Sequence, residues 1–344
     1  MESSIFEVDG SLYEGGGQIM RVALCLGIIK QIPVTIKNIR AGRDRPGLAR
    51  SHLASVLILQ QICNGRLENA ELGSTTLTLY PSQISSGTFI ADCGSSGSIT
   101  LMLQAILPVL IKTSSILILR GGTDVPFSPT THFIQNSLQP FLNKIGVKFS
   151  YEVKRYGFNP IGRGEVEVRT ELCEEINGID ILYNKISRNI EAEIVYSRKS
   201  KGNMNYDEEI RKVVERVVNE LEVNREIISV REVDAECHGV VVNVWNKSEN
   251  GCFYHKSEVG IFKGKNEWEK PCRDLKNCIE SEACICEELQ DQLLIFLAMA
   301  SSPSRIKINQ ATDHSLAVIE LINRVGLARI SMNEGILEII PQSR

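Results

Sequence analysis

Three consecutive glycines mark the first place in the chain where a ligand could bind. Residues 15–17 are all glycine and stand immediately before an apolar run with helical spacing, so their backbone N–H groups would lie at a helix start. Such N–H groups, together with the helix dipole, suit a phosphate. Glu14 beside them could hold a divalent metal that bridges phosphate oxygens, and Arg21, one turn after Gln18, could reach the same anion. A turn that simply needs positive φ explains a bare triple glycine equally well.

An arginine-rich loop is a second candidate anion site. Residues 40–50 contain four arginines, with glycine and proline between them. Guanidinium groups in such a loop can each clamp a phosphate with two hydrogen bonds, although a cluster of this kind standing alone is more often a solvated loop. Residues 94–98 repeat the glycine and hydroxyl pattern at another helix start, and residues 121–126 form a turn after a strand. Each of these two segments is a weak signal by itself.

Of the five histidines, His314 has the setting of a nucleophile. It lies at a predicted helix start, and a neutral imidazole can attack a phosphorus centre, although a histidine in this position, taken alone, is more often an ordinary helix-start residue. His52 and His132 also lie near helix starts, where capping or packing is the ordinary role. His238 and His255 lie near cysteines whose spacing is not that of a structural zinc site, so no metal is expected there.

The usual nucleotide-binding motifs are missing from the sequence. It contains no P-loop, no Gly-x-Gly-x-x-Gly segment after a predicted strand, and no Lys-x-Asp-Gly segment of a lysine-adenylating ligase. ATP, if it binds, must therefore bind in another way.

Composition places the chain among ordinary globular proteins. It has 344 residues, of which 43% are hydrophobic, and a formal net charge of −4. At about 150 residues per domain, this length predicts two domains. The negative charge argues against nucleic-acid binding by bulk charge, so contacts with RNA or ATP must come from local basic clusters.

No segment predicts a membrane span or secretion. Apolar runs stay well short of the roughly 18 to 20 residues that a bilayer requires, and the N-terminus lacks a basic and then apolar signal pattern. We therefore expect an intracellular protein, in the nucleus or the cytoplasm, without a membrane partner. The ten cysteines are then expected to be reduced thiols, with Cys25 and Cys63 in the core.

Hydrophobic periodicity predicts an α/β (α+β) chain with three repeat units of βαβαββ form. A glutamine on the first helix and a histidine on the second recur in all three units, and the interval between them shortens from unit to unit. The repeat is therefore architectural and not a tandem sequence copy. The three pairs are Gln18 and His52, Gln104 and His132, and Gln292 and His314.

The units are predicted to form one large domain, residues 1–185 and 280–344, which a smaller α+β domain of residues 186–279 interrupts. Within this insert, residues 190–196 alternate as in a strand, residues 210–221 follow the spacing of an amphipathic helix, and residues 240–245 read as another strand. Residues 247–269 indicate no definite structure.

Taken together, these residues resemble the RNA 3′-terminal phosphate cyclase family. The matching motifs stand in the family's order and cover both ends of the chain, whereas the insert is only loosely matched. They are Asp9–Gln18 with Arg21, Ile39–Arg43 with Pro46–Leu48, Glu71–Thr75, Gly94–Ser98 with Gln104, Arg120–Pro126, Leu289–Leu293 and His314.

The resemblance implies three βαβαββ units with the α+β domain inserted in the third. It also implies an enzyme that uses ATP, with Mg²⁺ or Mn²⁺, to convert an RNA 3′-terminal phosphate into a 2′,3′-cyclic phosphate. A histidine would attack the α-phosphorus of ATP, AMP would pass to the RNA 3′-phosphate, and the neighbouring 2′-hydroxyl would displace AMP. Whether DNA ends are accepted, and whether the chain forms a homodimer, is left open.

Carried over residue by residue, the resemblance implies a role for each matched position. His314 would be the adenylylated nucleophile, and Glu14 would be the metal ligand. The nucleotide, phosphate or RNA-end contacts would be Glu14, Gln18, Arg21, Arg40, Arg43, Gln104, Pro129, Phe133, Asp291 and Gln292.

The chain also departs from the family pattern. Ser51 stands where family members have glutamine, and Glu288 stands where a tyrosine usually stacks on adenine, a contact that a carboxylate cannot make. A glycine-rich segment is altered at residues 156–164.

Two other functions are compatible with this fold. The first is a non-catalytic, cyclase-like scaffold in ribosome biogenesis or rRNA processing, but that branch lacks the histidine and the Glu-Gly-Gly-Gly-Gln pattern that this chain has. The second is an enolpyruvyl transferase built from the same unit, and it fits less well because its cluster of basic substrate contacts is not recognisable.

Overall fold

The first glycine turn leads into a helix that is apolar almost all round, and this helix belongs to the first of three similar units. The structure is a computed structural model and describes residues 5–184, 189–199, 204–247, 253–262 and 266–342. The elements of unit 1 are β1 (Phe6–Asp9), α1 (Gln18–Lys30), β2 (Val34–Lys37), α2 (Arg50–Ile62), β3 (Arg66–Glu68) and β4 (Leu77–Tyr80).

Unit 2 repeats this order, with a second helix that changes its winding. A π-helical turn, Ile134–Leu138, joins its two α-helical pieces. The elements are β5 (Thr88–Asp92), α3 (Ile99–Leu110), β6 (Ser115–Gly121), α4 (Thr131–Phe133), α5 (Gln139–Lys144), β7 (Phe149–Arg155) and β8 (Gly164–Thr170).

Unit 3 is interrupted after its first strand, β9 (Asp180–Ile181). The intervening elements are β10 (Ile190–Ser197), α6 (Tyr206–Leu221), β11 (Ile228–Glu232), β12 (Gly239–Lys247), β13 (Phe253–Gly260) and α7 (Lys270–Glu280). Unit 3 then resumes with α8 (Glu287–Ala298), β14 (Ser304–Lys307), α9 (Asp313–Val325), β15 (Ala328–Asn333) and β16 (Ile336–Pro341).

The sheets of the three units share one strand order. The first strand pairs in parallel with the second, the fourth lies antiparallel beside the second, and the third lies at the edge. A helix must cross over between two parallel neighbours, so each unit places its first helix against its own sheet. These observations confirm the predicted mixed α/β fold class. The domain boundaries remain a prediction, and residue 186 lies outside the described residues.

The first helices of the three units form the centre of the core. Residues 18–28 of α1 are all buried, as are nearly all residues of α3 and α8. Helices that are apolar on every side cannot face water and therefore lie inside. Helix α1 packs against α3 and α9, and α8 packs against the same two helices. Polar residues near the ends of these helices are consequently brought close together.

The inserted segment forms its own sheet, in the order β11-β10-β12-β13. Strand β13 falls within residues 247–269, where the sequence indicated no definite structure. His255 on this strand lies with its Nε2 atom 3.0 Å from Nδ1 of His132, and the His132 ring lies 4.1 Å from that of Trp245. Burial lowers the pKa of His132 to about 4, so the ring stays neutral while it packs unit 2 against the insert.

Two predictions from composition can also be compared with the structure. Cys25 and Cys63 are fully buried, and every cysteine in the described ranges is a free thiol. No helix in the described part of the chain is both long and apolar enough to cross a membrane.

We predict that Gly27→Ala destabilises the protein, although alanine is the better helix former. A Cβ atom at Gly27 would lie 2.0 Å from Cγ2 of Val34, a fully buried and rotationally stiff side chain. The overpacking should cost about 1–3 kcal/mol, which outweighs the roughly 1 kcal/mol gain in helix propensity. Denaturant unfolding measures the change. Gly87→Ala is the control, since its nearest neighbour would be 3.6 Å away, and equal stability of the two variants would contradict this account.

Candidate active site

Gln18 and His314 meet although they lie at opposite ends of the chain. Gln18 is the first residue of α1, and His314 is the second residue of α9, whose start is capped by the Thr312 hydroxyl. Nδ1 of His314 lies 2.5 Å from Oε1 of Gln18. An amide oxygen can only accept, so Nδ1 carries the proton and donates it. In the neutral ring, Nε2 is then left with a free lone pair.

Asp291 determines which way the Gln18 amide points. The Nε2 atom of Gln18 donates to Oδ2 of Asp291 at 2.5 Å, and Nε2 of Gln104 donates to the same oxygen at 3.2 Å. An ionised carboxylate only accepts hydrogen bonds, so Gln18 must turn its NH₂ toward Asp291 and its oxygen toward His314. A chain of two hydrogen bonds thus sets the tautomer of the histidine.

The Asp291 side chain is half-buried, and this burial raises the pKa of its carboxyl to about 6. Neighbouring His314, the bond from Gln104 and nearby Arg21 act in the opposite direction, while Glu288 raises the pKa further. Burial also lowers the pKa of the Arg21 guanidinium to about 10, an effect that Asp291 opposes. Arg21 therefore remains charged and contributes a buried positive charge beneath the site.

The other face of His314 is open to solvent and bordered by charge. Its Nε2 atom lies 3.4 Å from Oε1 of Glu14, and the second carboxylate oxygen lies 3.5 Å from Nη2 of Arg43. The side chains of His314 and Glu14 are 49% and 43% exposed. An incoming substrate can consequently reach the nitrogen that carries the lone pair.

Glu14 suits a metal ion that is also bound by substrate phosphates better than an ion held entirely by protein side chains. Among the described residues, no three His, Cys, Asp or Glu side chains are grouped so that they could hold an ion. Mg²⁺ is typically held by one or two carboxylates together with water and substrate phosphates, and an exposed Glu14 meets this requirement. The residues present therefore fit a divalent ion that arrives with a phosphate-bearing substrate.

The glycine turn is needed because other groups come very close to it. A Cβ atom at Gly17 would lie 2.1 Å from Nε2 of His52, and Gly15 has a φ of +56°. Burial, followed by Arg21 and then the loop arginines, lowers the pKa of His52 to about 3. His52 is thus a neutral packing residue beneath the turn.

Arg40 lies at the site, but its side chain forms hydrogen bonds within its own loop. Its Nη1 atom donates to the backbone oxygens of Arg45 and Gly47 at 2.9 and 2.8 Å. These bonds hold the arginine-rich loop closed, and they leave the Arg43 side chain facing Glu14. The roles that the resemblance implies for the two arginines remain predictions.

The residues expected to contact the nucleotide lie around helix α3. Thr100 donates to the backbone oxygen of Pro129 at 2.7 Å, and Gln104 follows Thr100 by one turn. Gln104 and buried Gln292 share the wall of a small cavity of about 10 Å³. Phe133 is 2% exposed and meets the His255 ring edge-on at 5.5 Å, so its ring packs within the protein.

A lysine that the sequence did not single out lies next to this region. Lys256 on β13 donates to both oxygens of Glu288, at 2.7 and 2.8 Å. Burial is the largest single effect on Lys256 and opposes its charge, but Glu288 together with Cys286 and Cys278 raises the pKa of the lysine above its usual value. The ion pair joins the insert to the first turn of the helix that carries Asp291. Lys256 was missed because its strand lies in a segment without a recognisable pattern.

Comparison with known proteins places the chain in a family. The family model described as "RTC: RNA 3'-terminal phosphate cyclase" matches residues 12–332. An RNA 3′-terminal phosphate cyclase of Koribacter versatilis is 31% identical over 319 residues, which are 92% of this chain and 88% of that protein. One of Pyrococcus furiosus is 31% identical over 331 residues, 92% of each chain.

A more distant relative and one solved structure were also found. A probable RNA 3′-terminal phosphate cyclase of Dictyostelium discoideum is 28% identical over 93% of this chain and 76% of that protein. The crystal structure of the enolpyruvyl transferase NikO from Streptomyces tendae covers 99% of this chain and 66% of that one, with 9% identity and a TM-score of 0.27. This TM-score is too low to support an inference about fold or function. The match of the family model over most of the chain shows that the protein belongs to the RNA 3′-terminal phosphate cyclase family.

Proposed function

We propose that the protein is an ATP-dependent RNA 3′-phosphate cyclase, which converts an RNA 3′-terminal phosphate into a 2′,3′-cyclic phosphate. The main support is the solvent-facing Nε2 atom of His314, whose lone pair is left free by the bonds through Gln18 to Asp291. The relatives that match nearly the whole chain are named for this activity.

In the first step, His314 Nε2 would attack the α-phosphorus of ATP. A P–N bond forms, the bond from that phosphorus to the pyrophosphate oxygen breaks, and pyrophosphate leaves. The imidazole becomes positively charged as its lone pair is used. The bond from Nδ1 to Gln18, which is in turn bonded to Asp291, would stabilise that charge.

In the second step, an oxygen of the RNA 3′-phosphate would attack the same phosphorus and break the P–N bond, so that His314 is restored. In the third step, the adjacent 2′-hydroxyl would attack the terminal RNA phosphorus, lose its proton and displace AMP. The product is the cyclic phosphate. Two anions approach each other in the second step, so nearby positive charge is required.

Glu14 and the arginines would supply and position this charge. Glu14 would hold Mg²⁺ or Mn²⁺ in contact with the ATP phosphates, and such an ion supplies neutralisation of phosphate charge. Arg43 extends from the loop beside Glu14, and Arg21 lies buried below. A purely structural scaffold needs neither an exposed histidine with a defined tautomer nor a carboxylate beside it.

His314→Ala is expected to abolish covalent labelling by ATP that carries a labelled α-phosphate. Loss of the attacking nitrogen should reduce labelling by roughly a thousandfold or more. In the native protein the adduct should be acid-labile and alkali-stable, as a phosphoramidate is. His238→Ala is the control, because His238 is bonded within the insert to Ser197 and Phe262. No adduct on folded native protein, given ATP and Mg²⁺ or Mn²⁺, would instead favour the scaffold function.

Asp291→Asn is expected to slow self-labelling by about 10–100-fold above pH 6, since an asparagine no longer dictates the orientation of Gln18. The pKa of Asp291 is raised to about 6, so below that pH the native carboxyl is protonated and loses the same control. The ratio of native to variant rates should therefore fall toward one as the pH drops from 7 to 5.

Dividing the native labelling rate by the variant rate cancels the effect of any titration that both proteins share. The groups acting on Asp291 are His314, Arg21 and Glu288, and all three remain in the variant. A ratio that does not change with pH would refute the assigned role. Stability is a second readout: because the folded pKa is raised, ionisation of Asp291 costs stability as the pH rises from 3.8 through about 6, and the variant should gain relative stability over that interval.

A further inference from the structure

The second glycine turn, residues 94–97, repeats the arrangement of the first. Gly97 accepts a backbone hydrogen bond from Gly122 at 2.8 Å, and Gly15 accepts one from Gly42 at 3.3 Å. Each turn is thus held against the loop that follows the second strand of its own unit. The function proposed above uses only the first turn.

The start of α2 connects the two glycine turns. His52 lies against Gly17, whereas Arg50 donates from Nη1 to the backbone oxygen of Gly94 at 3.4 Å. Between them, the Cβ atom of Ser51 would lie 2.6 Å from a Cβ atom at Gly97. Three consecutive residues therefore span the distance from the candidate active site to the second turn.

A cavity of about 250 Å³ lies beside the second turn. This volume is far above the roughly 10–15 Å³ that a single water molecule requires. The glycine turn, the end of β6 and the β7–β8 hairpin form its walls. Its lining includes Asp92, Gly94, Arg120, Arg155 and Arg163.

Two of the three arginines in the cavity are available to an anion. Arg120 is paired with Glu165 at 2.7 Å. Arg155 forms no ion pair within the described residues, and its Nε atom donates to the backbone oxygen of Arg163 at 2.6 Å. Arg163 is 69% exposed and has only a distant carboxylate, Glu236, at 3.8 Å.

The acidic residue in the wall, Asp92, brings one negative charge against the two available guanidinium groups. Oδ1 of Asp92 accepts a hydrogen bond from the backbone N–H of Gly94 at 2.7 Å. Asp92 thereby holds the glycine turn in place with one of its two oxygens. The cavity combines an exposed backbone turn with two flexible guanidinium groups, which together suit a phosphodiester.

We propose that this cavity binds an internal phosphodiester of the RNA, on the 5′ side of the reactive end. The strand would extend from the terminal phosphate at His314 across the start of α2 to Arg155 and Arg163. This assignment rests on the proposed function, because it takes the 3′ end to lie at the first turn. Under this assignment a strand that continues into the cavity gains contacts that a dinucleotide lacks, so affinity should depend on RNA length.

The test compares two 3′-phosphorylated RNAs, a dinucleotide and a strand of about ten nucleotides, by fluorescence anisotropy at several salt concentrations. The variant is Arg155→Gln with Arg163→Asn, because Arg163 has a φ of +56° and asparagine tolerates that conformation. The control is Arg169→Gln, which changes an arginine of β8 that is paired with Glu167 and lies outside the cavity. Thermal melting checks that all three proteins fold.

The double variant should bind the long RNA about tenfold more weakly, and the slope of its salt dependence should fall by roughly 0.7 for each phosphate that an arginine no longer neutralises. Affinity for the dinucleotide should not change, and Arg169→Gln should resemble the native protein. Unchanged binding of the long RNA would overturn the assignment, as would an equal loss for both RNAs.

Labelling by ATP separates this inference from the proposed function. The double variant should form the covalent AMP adduct at the native rate, because neither arginine contacts His314. A native protein that binds RNA with the predicted length dependence but forms no adduct would refute the proposed reaction and support the cavity. A protein that forms the adduct but binds RNA without the predicted length dependence would support the proposed reaction and refute the cavity as an RNA site.

Discussion

The candidate active site depends on the orientation of one side-chain amide, that of Gln18. Its NH₂ group donates to Asp291 and its oxygen accepts from His314, so a buried negative charge on α8 determines which nitrogen of a histidine on α9 is free. Without the bond to Asp291, the Gln18 amide would be free to flip and could present either its oxygen or its NH₂ group to His314. Gln104 donates to the same carboxylate and adds a fourth helix, α3, to the arrangement.

This arrangement is possible because the three units pack their first helices together. Helices buried on every side bring their polar terminal residues to one place, where each must find a partner. The buried carboxylate that results carries a cost, which is seen in the raised pKa of Asp291. Arg21, itself buried, offsets part of this cost.

Glu288 and Ser51, the two residues that the resemblance marks as departures, lie beside the hydrogen bonds of the candidate site and not among them. Glu288 cannot stack on a base, but Lys256 holds it against the insert, one turn from Asp291 on α8. Ser51, in the place of a longer glutamine, lies close against Gly97. Both changes affect the surroundings of the site, whereas the contacts among Gln18, Asp291 and His314 remain.

Local sequence by itself determined the helices of the three units and the strands that follow them, since apolar periodicity and glycine position act over a few residues, but it set no bounds for the first strands β1, β5 and β9. It failed at β13, which lies in a segment without such a pattern, and it could not reveal the partner of Glu288. The meeting of Gln18, Gln104, Asp291 and His314 was decided by the tertiary structure, as were the use of Arg40 within its own loop and the cavity beside the second glycine turn. The contacts of Gln18, Gln104, Asp291 and His314 join residues far apart in the chain, and their geometry depends on how whole helices pack, for which no local pattern exists. The Arg40 bonds are local, but they depend on the path that the loop follows between its two elements.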